Sequence, residues 1–209
     1  MKRIIIILLT ILVCRTAPGE ESHHSSYSRT GRFVYGVEWG ISGNLFNYNV
    51  TTFITDVQSL VQIRSIDPFF HVNGEILAAA GVNIGKRFNL SLAAGYAGIQ
   101  KNMRFFPVEL RGQVFLRPWQ TEGSYFQIGG GGGLAENKQH RSAFFGRIGY
   151  GYRIYLGNGV SIDLKTAVML AYSHPDAYDK YTGKVVPQVN LRQSDSMSLN
   201  TLLCIALIF

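Results

Sequence analysis

The chain is 209 residues long, 46% hydrophobic and only 16% charged, with a formal net charge of +7. So much apolar side chain excludes a disordered chain, and the length suits one sizeable domain or two small ones. Nothing after residue 14 approaches the roughly 20 unbroken apolar residues of a membrane helix, so the apolar content is dispersed and its spacing decides the fold.

Residues 1–19 open with Lys2 and Arg3, continue through a largely apolar run from Ile4 to Cys14, and end on Ala17-Pro18-Gly19. This is the layout of a secretory signal peptide, too short to span a bilayer. An uncleaved anchor and a lipoprotein signal on Cys14 are the alternatives. Cleavage after Gly19 removes the three cations Lys2, Arg3 and Arg15, so the balance falls from +7 to +4. The basic charge is then partly a targeting feature, and no nucleic-acid partner is read from it. Cys14 is lost as well, which leaves Cys204 single and predicts no internal disulfide. Residues 20–31 read as a short N-terminal segment, and 32–209 as one domain.

Strand side chains point to alternate faces, so each candidate strand splits into two registers. In residues 32–42, Phe33, Tyr35, Val37, Trp39 and Ile41 oppose Arg32, Gly36, Glu38 and Gly40. Residues 71–84 set Ile76, Ala78, Ala80, Val82 and Ile84 against His71, Asn73, Glu75 and Asn83. Residues 89–99 are a weaker version rich in Ala. Residues 106–117 set Phe106, Val108, Leu110, Val114 and Leu116 against Glu109, Arg111, Gln113 and Arg117. Residues 124–134 are weak and Gly-rich. Residues 144–156 oppose Ile148, Tyr150, Tyr152, Ile154 and Leu156 to Arg147, Gly149, Gly151 and Arg153. Residues 160–173 split most cleanly, with Val160, Ile162, Leu164, Val168, Leu170 and Tyr172 opposite Ser161, Asp163, Lys165, Ala167, Met169 and Ser173. The eighth segment, 197–209, ends on Phe209.

The connections alternate in length. Residues 43–70 and 174–195 are long, 100–104 and 135–142 moderate, while 85–88, 118–123 and the Asn-Gly turn at 157–159 are short. Long loops at one end and short turns at the other predict an all-β fold, an eight-stranded antiparallel up-and-down transmembrane β-barrel. A soluble barrel would point its aliphatics inward. Here the large aliphatics share a face with aromatics near the strand ends, and small and charged residues share the other. Tyr96, Phe106, Phe144 and Tyr172 would form a lipid-interface girdle at the loop end, and Phe33, Phe88, Trp119 and Phe209 one at the turn end.

An eight-stranded barrel is too narrow for a water channel, so side chains fill it. The interior register carries Glu38, Glu75, Glu109 and Asp163 against Arg111, Arg117, Arg147, Arg153 and Lys165. Buried charges must be paired, so the expectation is a cross-lumen salt-bridge network. An ion pathway or proton relay is the alternative.

Several motifs carry a chemical reading beside a plainer one. Gly129 to Gly133 could cradle a phosphate only if a helix followed; inside an alternating segment it instead makes room for bulky neighbours. Ser173, His174 and Asp176 are weak catalytic candidates of Ser/His type. Ser173 and His174 would face opposite sides of a strand, and the His-x-Ser pattern of lipid A deacylases is missing. His23, His24, His71 and His140 lack metal-site spacing, so neither metal nor cofactor is expected. Residues 50–64 are apolar for a loop. A hairpin extending the wall, an amphipathic surface helix and a segment packed over the mouth all fit them.

The signal peptide, the eight segments, Gly-Lys-Arg-Phe-Asn-Leu-Ser-Leu-Ala-Ala-Gly-Tyr at 85–96, Phe-Pro-Val-Glu-Leu-Arg-Gly at 106–112 and the terminal Phe209 resemble small outer-membrane β-barrel proteins. They look most like the OmpA/OmpX-type barrels of Bacteroidales. The resemblance implies a monomer in the outer membrane of a Gram-negative bacterium, surrounded by outer-membrane lipid and lipopolysaccharide. It also implies recognition of the closing strand, through Phe209, by the outer-membrane assembly machinery. Barrels of this kind serve several functions. The expectation is a closed, charge-filled, non-enzymatic barrel acting in envelope integrity or surface interaction. The alternatives are a lipid A-modifying enzyme and a narrow pore or transporter.

Overall fold

The computed structural model describes residues 33–55, 58–67, 71–100, 103–135, 140–175, 177, 185–187 and 189–209. The signal peptide, His23, His24 and Arg32 lie outside these residues. Among the described residues the strands are β1 (Phe33–Ile54), β2 (Leu60–Asp67), β3 (His71–Ile84), β4 (Phe88–Gln100), β5 (Met103–Phe115), β6 (Gly123–Ala135), β7 (His140–Gly157), β8 (Val160–Pro175) and β9 (Leu191–Ile208). All neighbours are antiparallel, and β1 pairs with β9 from Gly36↔Ile208 to Phe53↔Leu191. That pairing closes β1, β3, β4, β5, β6, β7, β8 and β9 into an eight-stranded barrel, with no strand of the barrel lacking a neighbour on either side.

β2 decides among the three readings of residues 50–64 in favour of the hairpin. It pairs only with the upper half of β1, from Asn47↔Asp67 to Ile54↔Leu60, directly above the β1–β3 ladder. The apolar run 50–64 therefore builds a hairpin that carries the wall past the barrel rim. The hairpin tip is held by Thr55, whose backbone N–H donates to Ser59 O at 2.9 Å. On its inner side Val61, Ile63 and Leu191 pack against the buried Phe53, Ala177 and Val186.

Local chemistry explains the tightest turn. Asn158 and Gly159 both have positive φ, 51° and 82°, as a two-residue hairpin matched to strand twist requires. At the seam, Phe209 N donates to Tyr35 O at 2.8 Å and Tyr35 N to Phe209 O at 3.2 Å, and the two rings stack at 5.5 Å.

The outward face is apolar along every wall strand: Ile41, Ile76, Leu92, Leu110, Ile128, Ile148, Val168 and Leu203 are all exposed. Phe33, Phe106, Phe144 and Tyr172 stand on this face as expected. Tyr96 is half-buried against the Phe106 ring at 5.5 Å, and Trp119 sits in the β5–β6 turn. The inward face is filled. The glycine run shows how. Gly129 and Gly133 point inward on β6, where a Cβ would collide with the Glu109 carboxylate and the Phe105 ring respectively. The run is a trough in β6 that receives the large side chains of β5.

Gly129→Val should overpack this trough and destabilise the barrel by about 1–3 kcal/mol. Urea unfolding of detergent-folded protein checks this; unchanged stability would mean the β5 side chains do not lie over β6.

Candidate functional site

The interior is layered along the barrel axis. The central layer contains Glu38 on β1, Glu75 on β3, Glu109 and Arg111 on β5, Arg147 on β7 and Lys165 on β8. Each is placed inward by strand alternation alone. Arg111 donates to Glu38 Oε2 at 2.6 Å and to Glu109 Oε2 at 2.9 Å. Lys165 Nζ donates to the same Glu38 oxygen at 2.6 Å. Arg147 grips Glu75 with both terminal nitrogens, at 3.2 and 3.1 Å. It also lies 3.6 Å from Glu38 Oε1 and 3.6 Å from Glu109 Oε1. Glu38, Glu75, Glu109, Arg111 and Arg147 are at most 3% exposed. Three carboxylates and three cations thus neutralise one another, the condition under which buried charges are tolerated, and Lys165 is the one of the six that is only partly buried.

Below this layer, toward the short turns, Arg153 forms a two-point ion pair with Asp163, at 2.7 and 2.8 Å. The Tyr125 hydroxyl donates to the same carboxylate at 3.0 Å. The guanidinium of Arg153 lies 4.6 Å from the centre of the Phe115 ring, a cation–π contact. Above the central layer, toward the loop end, Ala97, Phe105, Ala143, Phe145, Met169, Ala171, Leu202 and Cys204 form an apolar plug. Beyond it lies a cluster of buried Ser and Asn side chains on β1, β8 and β9, where Asn44 donates to Asn200 at 3.0 Å.

Eight of the nine interior charges expected from sequence lie in these layers. Arg117 does not: β5 ends at Phe115, and Arg117 is exposed in the following turn. The period-2 register ran two residues past the strand, into a turn closed by Thr121 N–H donating to Pro118 O at 2.9 Å. Its removal leaves four acids against four bases. The apolar plug was the feature the sequence reading missed. Its signal was the same alternation, since Phe105, one residue before the expected segment 106–117, and Phe145, inside the segment 144–156, both occupy the inward register.

Ser173 and His174 separate as strand alternation requires. Ser173 is buried inside, while His174 is on the outer face. His174 Nδ1 is 3.0 Å from Asp195 Oδ1, and the Tyr172 hydroxyl donates to that oxygen at 2.6 Å. Asp176 lies outside the described residues. Ser173 and His174 therefore form no nucleophile–base pair. Ligand atoms of Glu38, Glu75 and Cys204 all lie within 4.8 Å of one another. The carboxylates there are already neutralised by Arg111, Arg147 and Lys165, so the donor set does not fit a metal. Cys204 Sγ donates to Glu75 Oε1 at 3.1 Å.

The wall itself is interrupted on one side. The β3–β4 ladder stops at Glu75↔Ala97, although β3 continues up to His71 and β4 to Gln100. Above that pair, Ser42 on β1 reaches past β3 and donates to Gly98 O at 3.0 Å. The upper end of β4 thus lies on the lumen side of β3. A cavity of about 1070 Å³ occupies this region. It is lined by the outward side chains Trp39, Ile41, Ile76 and Leu203 and also by the inward Glu75, Lys165 and Cys204.

No protein-family model matches the chain, and no curated protein matches its sequence. Solved structures do. The outer membrane protein AlkL, solved in lipid bilayers, aligns with a TM-score of 0.53 at 11% identity, covering 91% of this chain and 97% of that one. The outer membrane protein OprG of Pseudomonas aeruginosa aligns with a TM-score of 0.54 at 7% identity, covering 84% and 95%. The chain has the fold of a small outer-membrane β-barrel.

Breaking the central layer leaves buried charges without partners. Arg147→Met should destabilise the barrel by about 3–5 kcal/mol, whereas Arg117→Ala should change stability by no more than about 0.5 kcal/mol. Unfolding midpoints in zwitterionic detergent compare the two; equal losses would contradict the placement of Arg117 outside the network.

Proposed function

We propose that the protein is a non-enzymatic barrel of a Gram-negative outer membrane, closed along its axis, that acts in envelope integrity or surface interaction through its loop end. The observation that carries this reading is the stacking of a neutral six-charge layer beneath an apolar plug. A hydrated ion entering from the loop end would shed its water against Phe105, Phe145, Met169 and Leu202, then meet charges already paired. The apolar outer face and its aromatic flanks support the membrane location, with lipid and lipopolysaccharide as the surrounding partners. The β1–β2 hairpin gives the loop end a paired surface that stands above the rim. The separation of Ser173 from His174 disfavours the lipid A-modifying reading.

The side cavity favours a second reading, a transporter that works through its wall rather than along its axis. A space lined by lipid-facing aliphatics on one side and lumen-facing side chains on the other would hold a small apolar molecule in contact with the bilayer. Gly74 lines this space and is exposed on the outer face, where a side chain would narrow it.

Reconstituted in planar bilayers, the wild-type protein should give no sustained channel current; stable large conductance would overturn axial closure. A solvatochromic apolar dye should bind the wild type and lose about tenfold or more in affinity to Gly74→Leu, roughly the 1.4 kcal/mol that such a change represents. Equal binding by both proteins removes the second reading and leaves the first intact.

A further inference from the structure

Lys86 and Arg87 lie in the β3–β4 turn, and Arg117 lies in the β5–β6 turn. All three are exposed. The two turns are fastened to each other: Phe115 N donates to Arg87 O at 2.7 Å and Trp119 N donates to Lys86 O at 3.0 Å. The Trp119 indole Nε1 donates to Gly85 O at 3.2 Å. Arg117 falls between the two tethered positions, 115 and 119. Three cations contributed by separate turns are therefore held in one place by backbone bonds that do not involve their side chains.

These cations are not part of the interior charge balance, which is complete without them. Among the described residues none of the three side chains has an ion-pair partner, and Glu122 is the one acid in either turn. The third short turn, Gly157-Asn158-Gly159, carries no charge at all. Among the described residues, exposed positive charge in the short turns is thus confined to these two adjoining turns. Beside it stand Phe88, on the outer face, and Trp119, half-exposed in the turn. The amphipathic indole of Trp119 favours headgroup depth, and long basic side chains next to it reach lipid phosphates.

We propose that the paired β3–β4 and β5–β6 turns form a docking site for an anionic phospholipid headgroup of the leaflet facing the short turns. Lys86, Arg87 and Arg117 contact the phosphate, and Phe88 and Trp119 pack on the upper acyl and glycerol region. A bound lipid would fix the orientation of the barrel about its axis relative to that leaflet.

The test uses the full chain folded into phosphatidylethanolamine vesicles containing a minority of phosphatidylglycerol. The protein is extracted in mild detergent and its retained lipids are identified by mass spectrometry. Wild type should retain phosphatidylglycerol in excess of its share of the vesicle. The combined variant Lys86→Ala, Arg87→Ala and Arg117→Ala should lose that excess by about fivefold or more, since each cation near an anionic surface is worth roughly that factor. The tethering bonds are made by backbone atoms, so the variant should keep its heat-modifiable mobility. Arg117→Gln alone should shift retention in the same direction should the triple variant misfold. Arg64→Ala, on β2 at the other end of the barrel, should leave retention unchanged. The proposal is overturned if wild type shows no excess, if the turn variants retain it, or if Arg64→Ala loses it equally. It is also overturned if the turn variants lose sedimentation with peptidoglycan while keeping the lipid.

Discussion

A barrel of eight strands is filled largely by its own side chains, so an ionised side chain buried in it must find its counter-charge across the lumen. That constraint organises the molecule. Glu38, Glu75, Glu109, Arg111, Arg147 and Lys165 come from five different strands, separated by up to 127 positions in sequence. They meet only once the sheet has closed. The network therefore acts as a condition on closure, and on register too, because a slip of one residue would turn these side chains toward lipid.

The other layers follow from the same narrowness. The large interior side chains of β5 need a floor without side chains, and the glycine run of β6 supplies one. Gly151 does the same for the Tyr125 ring, against which a Cβ would collide. Above the charges the interior is packed with apolar side chains, and it returns to hydrogen-bonded Ser and Asn near the rim. Along its axis the interior thus carries a layer of paired charge and a layer of packed hydrocarbon. The discontinuity lies in the wall, where the β3–β4 ladder ends early and Gly98 is drawn inward by Ser42.

Much of this was legible in the sequence because a transmembrane strand writes its two environments into alternate residues. Val160 to Ser173 and Phe106 to Gln113 declare both faces without ambiguity, and the eight interior charges follow from that register. Three features were not settled by local pattern, the hairpin at 50–64 having been one reading among three, and each for a separate reason. Arg117 continues the alternation of β5 although the backbone has already turned, and periodicity contains no signal for where pairing stops. The β1–β2 hairpin depends on pairing above the rim, where both faces meet water or protein and the lipid-driven contrast between registers fades. The premature end of the β3–β4 ladder depends on a side-chain bond between residues 56 positions apart, which no local pattern encodes.

The central claim is that the interior charges stabilise the barrel as one coupled unit rather than as separate pairs or solvated groups. A double-mutant cycle on Glu38→Gln and Arg111→Gln, measured by equilibrium unfolding in lipid, tests it most directly. The account predicts a coupling energy of about 1–3 kcal/mol, the double variant being far less damaged than the sum of the single ones. Additive effects would show that Glu38 and Arg111 are not energetically joined, and would contradict the closed, self-neutralising lumen.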